Sequence, residues 1–105
     1  MAESHYQARL IRRLKRVLPG CVVLKLDSGY LQGSPDLLIL HGRDWAMLEV
    51  KASASEREQP NQRYYQQKYD EMSFCAFIYP ENEEDVIRDL QQTFRVSRRS
   101  RVLKP

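Results

Sequence analysis

Tyr6, Leu10, Leu14, Val17 and Leu18 recur at three- or four-residue intervals among mostly charged neighbours. This period gathers them on one face and predicts a helix from about Glu3 to Leu18, stopped by Pro19-Gly20. Four short apolar runs follow: Cys21–Leu26 (CVVLKL), Asp36–Leu40 (DLLIL), Trp45–Lys51 (WAMLEVK) and Phe74–Tyr79 (FCAFIY). Their length and β-branched or aromatic content predict strands. The second and third are almost continuously apolar, a pattern expected of strands covered on both faces. Asp27–Pro35 is turn-rich, Gly42-Arg43-Asp44 reverses the chain, and Ala52–Pro60 is a polar loop. Asn61–Met72 predicts a helix with an apolar face from Tyr65, Tyr69 and Met72 and several glutamines. Asn82 is placed to cap a last helix over Glu83–Phe94, after which periodicity is lost. The order α-β-β-β-α-β-α predicts an α/β fold, a small mixed sheet flanked by helices. No repeat is visible, so residues 1–94 read as one domain and residues 95–105 as a basic tail.

The 105 residues suit one domain with a thin core. No apolar run approaches the roughly 20 residues of a membrane-spanning helix. Met1–His5 carries no apolar signal region, so a cytosolic location, bacterial or in a phage-infected host, is expected. Cys21 and Cys75 lie inside apolar runs and read as buried, reduced thiols. The net charge of +3 is unevenly spread. Arg9, Arg12, Arg13, Lys15 and Arg16 crowd the first helix, and Arg95, Arg98, Arg99, Arg101 and Lys104 crowd the end. The stretch from Glu56 to Phe94 is acidic. Basic ends around an acidic middle suggest a polyanionic partner such as nucleic acid.

Candidate chemistry lies in Pro35-Asp36 and Glu49-Val50-Lys51. A hairpin turning symmetrically about Gly42-Arg43 sets Asp36 directly opposite Glu49. Such neighbours have Cβ atoms roughly 4.5–5.5 Å apart. Two carboxylates there repel unless one takes a proton or a cation sits between them. Hard divalent ions such as Mg²⁺ take one or two carboxylates, waters and substrate phosphates. Lys51, two positions after Glu49, shares its strand face. Ser34 falls opposite Lys51 in the same register. An ordinary ion pair of Lys51 with Asp36 or Glu49 is the competing account of these residues. Tyr30, in the loop before Asp36, is a candidate to stack on an exposed base. There is no Gly-rich phosphate loop, Ser-His-Asp set or organic-cofactor fingerprint.

The run from Gly33 to Ser53, GSPDLLILHGRDWAMLEVKAS, resembles the core motif of the PD-(D/E)XK nuclease superfamily. More narrowly, it is similar to the stand-alone virus-type replication-repair nuclease (VRR-NUC) domain. Gly33, Pro35 and Asp36 match its G-x-P-D element, and Glu49, Val50 and Lys51 its E-V-K. The resemblance spans roughly Glu3 to Tyr79 and implies a restriction-endonuclease-like α-β-β-β-α-β core. It implies Asp36, Glu49 and the Val50 carbonyl as ligands of Mg²⁺ or Mn²⁺, and Lys51 as the catalytic lysine. Glu3 matches the first-helix glutamate of the family, against the plainer account of a favourable charge at a helix N-terminus. Gln62 is the best match to a supporting glutamine, in competition with Gln59 and Gln66.

The resemblance implies a metal-dependent endonuclease cutting DNA phosphodiesters, acting as a homodimer on four-way (Holliday) junctions or other branched DNA, as in DNA repair. Arg9, Arg12, Arg13, Arg16, Arg98, Arg99 and Arg101 would grip phosphates without reading sequence. The alternatives are a nicking or restriction-type nuclease on duplex DNA, and a non-catalytic nucleic-acid-binding module with the same fold.

Overall fold

The computed structural model describes residues 2–27 and 29–103, with side chains as far as Arg95. Strands β1 (Val22–Lys25), β2 (Leu37–His41), β3 (Asp44–Val50) and β4 (Phe74–Ile78) form one sheet in the order β1-β2-β3-β4. The first three run antiparallel, and β4 lies parallel to β3. A parallel neighbour needs a crossover, supplied here by helix α2 (Gln62–Met72). Helices α1 (Glu3–Val17) and α3 (Glu83–Leu103) complete the order read from the chain.

The core forms where two helices meet one sheet face. Tyr6, Leu10, Leu14 and Leu18 from the N-terminal segment and Val86, Ile87, Leu90 and Phe94 from α3 pack with Leu37, Ile39, Ala46, Leu48, Val50 and Ile78. Helix α2 buries no residue fully and packs on β4 and, to a lesser extent, β3. Since side chains alternate along a strand, the face opposite the core carries Glu49 and Lys51.

Several expectations need correction. Strand β2 is not covered on both faces: Leu37 and Ile39 are buried, whereas Leu40 is 36% exposed. The second face is shielded mainly where α2 packs, over β3 and β4. Helix α3 also continues to Leu103, well past Phe94. Losing the apolar stripe does not end a helix; breakers do, and residues 95–103 contain neither Gly nor Pro. The side chains of Arg98, Arg99 and Arg101 lie outside the described residues. Cys75 is buried and Cys21 only half-buried; both are free thiols.

Asn82 does not cap α3 through its side chain as expected. Its Oδ1 accepts from the Tyr79 N–H at 2.9 Å and its Nδ2 donates to the Phe77 carbonyl at 3.1 Å. The residue ties the end of β4 to the start of α3, and its backbone carbonyl accepts the Val86 N–H at 3.0 Å.

Gly33 seats the loop before β2 against the start of α2. Its φ of +89° belongs to the left-handed region, and an added Cβ would stand 2.7 Å from Asn61 Cβ and from the Pro60 carbonyl oxygen. Two of its three nearest obstacles are backbone atoms, so relief requires moving the chain. Gly33→Ala is expected to cost about 1–3 kcal/mol of stability, read as a lower urea midpoint at unchanged m-value. It should also displace Gln62, which follows Asn61 at the start of α2.

Candidate active site

The β2–β3 register pairs Leu37 with Leu48. One step beyond it, Asp36 and Glu49 come together at the mouth of the hairpin. The Asp36 N–H donates to the Leu48 carbonyl at 3.1 Å, continuing the ladder. The Asp36 side chain folds onto β3, where its Oδ2 accepts the Val50 N–H at 2.8 Å. One oxygen of Asp36 is thus fixed by backbone.

Among the described residues, the charged side chains that the fold buries are Glu49 and Lys51, each 4% exposed. Glu49 Oε1 accepts from Gln62 Nε2 at 2.5 Å. Glu49 Oε2 is buried with no N–H or O–H donor on it, and the Glu49 carboxyl stands within hydrogen-bonding reach of the Asp36 carboxyl. Burial, then the Asp36 charge beside it, pushes the Glu49 carboxyl up to about 8, against the opposing pull of Lys51. Burial also raises Asp36, opposed by its hydrogen bond from the Val50 N–H. A buried carboxyl beside a half-buried one, with an orphaned oxygen, is short of positive charge.

Glu3 reaches this cleft from the first turn of α1. Burial, its hydrogen bond with Glu56 and the neighbouring charges of Glu56 and Asp36 raise it to about 7. Glu3, Gly33, Ser34, Asp36, Glu49, Lys51 and Gln62 all line one cleft of about 390 Å³, with Glu56 and Gln59 also on its wall. The three competing glutamines are separated by their contacts. Gln62 holds Glu49, Gln66 donates to the Cys75 carbonyl at 2.8 Å, and the Gln59 N–H is bound by the Gln62 side chain at 2.7 Å.

Lys51 does not make the ordinary ion pair with Asp36 or Glu49. Its Nζ lies 3.2 Å from the Arg57 carbonyl oxygen and 3.4 Å from Glu56 Oε2. Glu56 was missed in the sequence. It sits in a polar loop beside Glu58, and nothing in the spacing marks one acid as inward and the other as solvated.

Among the described residues no group of three or more His, Cys, Asp and Glu side chains forms a ready metal cage. The pair Asp36 and Glu49 nevertheless fits a hard divalent ion, which needs few protein ligands and keeps several waters. The orphaned Glu49 oxygen is the observation behind that fit.

The basic residues divide. Arg9, Arg12 and Arg16 are exposed on α1, with the Arg9 guanidinium 5.5 Å from the Tyr6 ring centroid. Arg13 is committed within the chain, paired to Glu83 and Glu84. Tyr30 is 90% exposed in the loop before Asp36.

At the level of sequence, neither a family model nor a curated protein matches the chain. Solved structures do. One described as a "VRR_NUC domain" superposes with a TM-score of 0.60 at 24% identity, covering 73% of this chain and 82% of the other. The chain has a restriction-endonuclease-like fold. Within the same nuclease fold, Hjc from the archaeal hyperthermophile Archaeoglobus fulgidus, a Holliday junction resolvase, aligns with a TM-score of 0.50 at 13% identity. That match covers 72% of this chain and 67% of Hjc. Asp36 immediately precedes β2, Glu49 lies on its antiparallel neighbour β3, and Lys51 directly follows β3.

Proposed function

We propose that this chain is a divalent-metal-dependent DNA endonuclease that hydrolyses phosphodiester bonds in branched DNA, with four-way junctions as the preferred substrate. The observation that carries the reading is the pairing of half-buried Asp36 with buried Glu49, one oxygen of which lacks an N–H or O–H donor, in an open cleft beside a buried lysine. The junction preference leans on the likeness to a Holliday junction resolvase. Mg²⁺ or Mn²⁺ would be held by Asp36, Glu49 and the Val50 carbonyl, with Glu3 at the rim. When bound, such an ion supplies Lewis acidity toward the scissile phosphate and lowers the pKa of coordinated water. The protein's own part is positional and electrostatic. Val50 N–H and Gln62 each lock one oxygen of the two acids. Lys51 brings a positive charge to the cleft, placed to orient the attacking water or to stabilise charge gathering on the phosphate. Ser34 lies on the cleft wall, where a substrate strand would pass.

Arg9, Arg12 and Arg16 would hold the phosphate backbone. Paired cuts across a junction call for a two-fold enzyme. Support for a second copy comes from an apolar strip on the sheet face beyond α2. Val22 is 48% exposed, Leu24 44% and Leu40 36%, and the register sets Val22 beside Leu40. Exposed contiguous apolar surface of this kind marks interaction sites. No described helix is long and apolar enough to cross a membrane; a cytoplasmic site of action belongs to the same proposal.

The test is incubation of labelled junction, flap and linear duplex DNA with the protein, in Mg²⁺, Mn²⁺ or chelator, alongside sedimentation of the protein alone. Cation-dependent cutting of branched DNA by a dimer is the expected result. Equal cutting of linear duplex would favour a nicking or restriction-type enzyme. Binding without cutting would favour a non-catalytic module. Affinity should fall steeply with salt, the signature of phosphate contacts.

A further inference from the structure

Lys51 stands between two cavities. One is the cleft of the carboxylate pair. The other, about 330 Å³, is lined by Lys51 and Glu56 together with Arg63, Gln66, Tyr79 and Asn82. A lysine carries its charge on four flexible methylenes, so an untethered Lys51 has two destinations. It could swing into the adjoining cavity, away from the reaction. It could also collapse onto Asp36 and Glu49, where opposite charge draws it and where it would occupy the place a substrate or cation needs.

Neither happens. The Nζ is held at 3.2 Å from the Arg57 carbonyl and 3.4 Å from Glu56 Oε2. Among the described residues Lys51 makes no other ion pair, although both Asp36 and Glu49 feel its charge. Glu56 is itself anchored. Its Oε1 accepts the Ala52 N–H at 2.7 Å, and its own N–H donates to the Ser53 carbonyl at 3.1 Å. The loop after β3 therefore folds back so that one carboxylate fixes the backbone with one oxygen and the lysine with the other.

We propose that Glu56 is a positioning residue for Lys51, holding its ammonium beside the acid pair but out of direct contact with it. The proposal rests on the nuclease reading for its catalytic consequence, though not for its geometry. Lys51 is thereby pre-set, and the orphaned Glu49 oxygen stays open.

Glu56→Gln tests this, because the amide oxygen can still accept the Ala52 N–H while the negative charge is lost. Crystal structures of wild type and Glu56→Gln at one pH, with Tm and junction-cleavage kinetics, give the readouts. The expected result has three parts: Tm within a few degrees of wild type, Lys51 Nζ moved off the Arg57 carbonyl, and kcat lowered roughly tenfold or more at nearly unchanged KM. Glu56→Ala should lose the same kcat and also Tm, because the loop loses its anchor. Lys51 unmoved in Glu56→Gln would overturn the proposal, whatever the rate. Lys51 displaced at full kcat would overturn it equally. If wild type cuts no DNA, the nuclease reading fails, and the position of Lys51 in the two structures still decides whether Glu56 holds it.

Discussion

Lys51→Met is expected to lower kcat for DNA cleavage by roughly 10²–10³-fold, with KM and overall stability little changed. Methionine is chosen because Lys51 is 4% exposed and its methylenes are packed; a truncation to alanine would add a cavity to the loss of charge. The reason for a large effect is dielectric. A positive charge beside a reacting phosphate in water is worth little, but one held in a partly dry cleft and already oriented costs no reorganisation during reaction. The Arg57 carbonyl and Glu56 supply that orientation before substrate arrives. Single-turnover cleavage of a labelled junction measures the step. A variant retaining more than a tenth of the wild-type rate would remove Lys51 from the mechanism and leave it a structural cation.

The second large effect concerns stability. Glu49 has its carboxyl pushed from the ordinary 4.5 up to about 8 by burial and by Asp36. Between those pH values the folded chain holds a proton that the unfolded chain has released. Folding stability contributed by this group is therefore full below about pH 4.5 and is lost as pH rises through 8. Each unit of such displacement corresponds to about 1.4 kcal/mol. Glu49→Gln removes the charge that must be buried, so at pH 8 the metal-free variant should melt higher than wild type, by roughly 5 °C or more. At pH 5 Glu49 is already protonated, and the difference should nearly vanish. Mg²⁺ or Mn²⁺ should raise the wild-type Tm at pH 8, because a cation offsets the same repulsion, and should do much less for Glu49→Gln. Differential scanning calorimetry at both pH values, with and without cation, reads all four comparisons. A wild-type Tm that climbs from pH 5 to pH 8 without metal, or one indifferent to cations, would mean that the acid pair is already neutralised within the protein.

The two effects come from one arrangement. The fold places an electrostatic deficit at the mouth of a hairpin and keeps the nearest cation from filling it. The same unfavourable pairing that weakens the metal-free protein leaves an oxygen open for a ligand.

How much was legible beforehand differs by element. The seven elements, their order and most of their ends follow from local signals, since a period of three to four or a short β-branched run needs no partner to be recognised. The meeting of Asp36 and Glu49 was also legible, because a tight hairpin converts spacing into register, and register into facing side chains. The reach of α3 was not, since a helix without an apolar stripe shows only the absence of breakers. Nor was the exposure of Leu40, which depends on where α2 comes to rest across the sheet.

The glutamines and the acids of the loop after β3 show the remaining divide. Gln59, Gln62 and Gln66 are chemically equivalent letters, as are Glu56 and Glu58. Choosing among them requires knowing how the loop folds back from β3 and how α2 is set against Gly33. Those placements arise from contacts between segments distant along the chain, and no local pattern encodes them. The linear order of residues therefore specified the ingredients and one facing pair, through short-range geometry. Which glutamine steadies Glu49, which carboxylate tethers Lys51, and that Arg13 is held by Glu83 and Glu84, were settled by three-dimensional packing, because each depends on a partner supplied by another element.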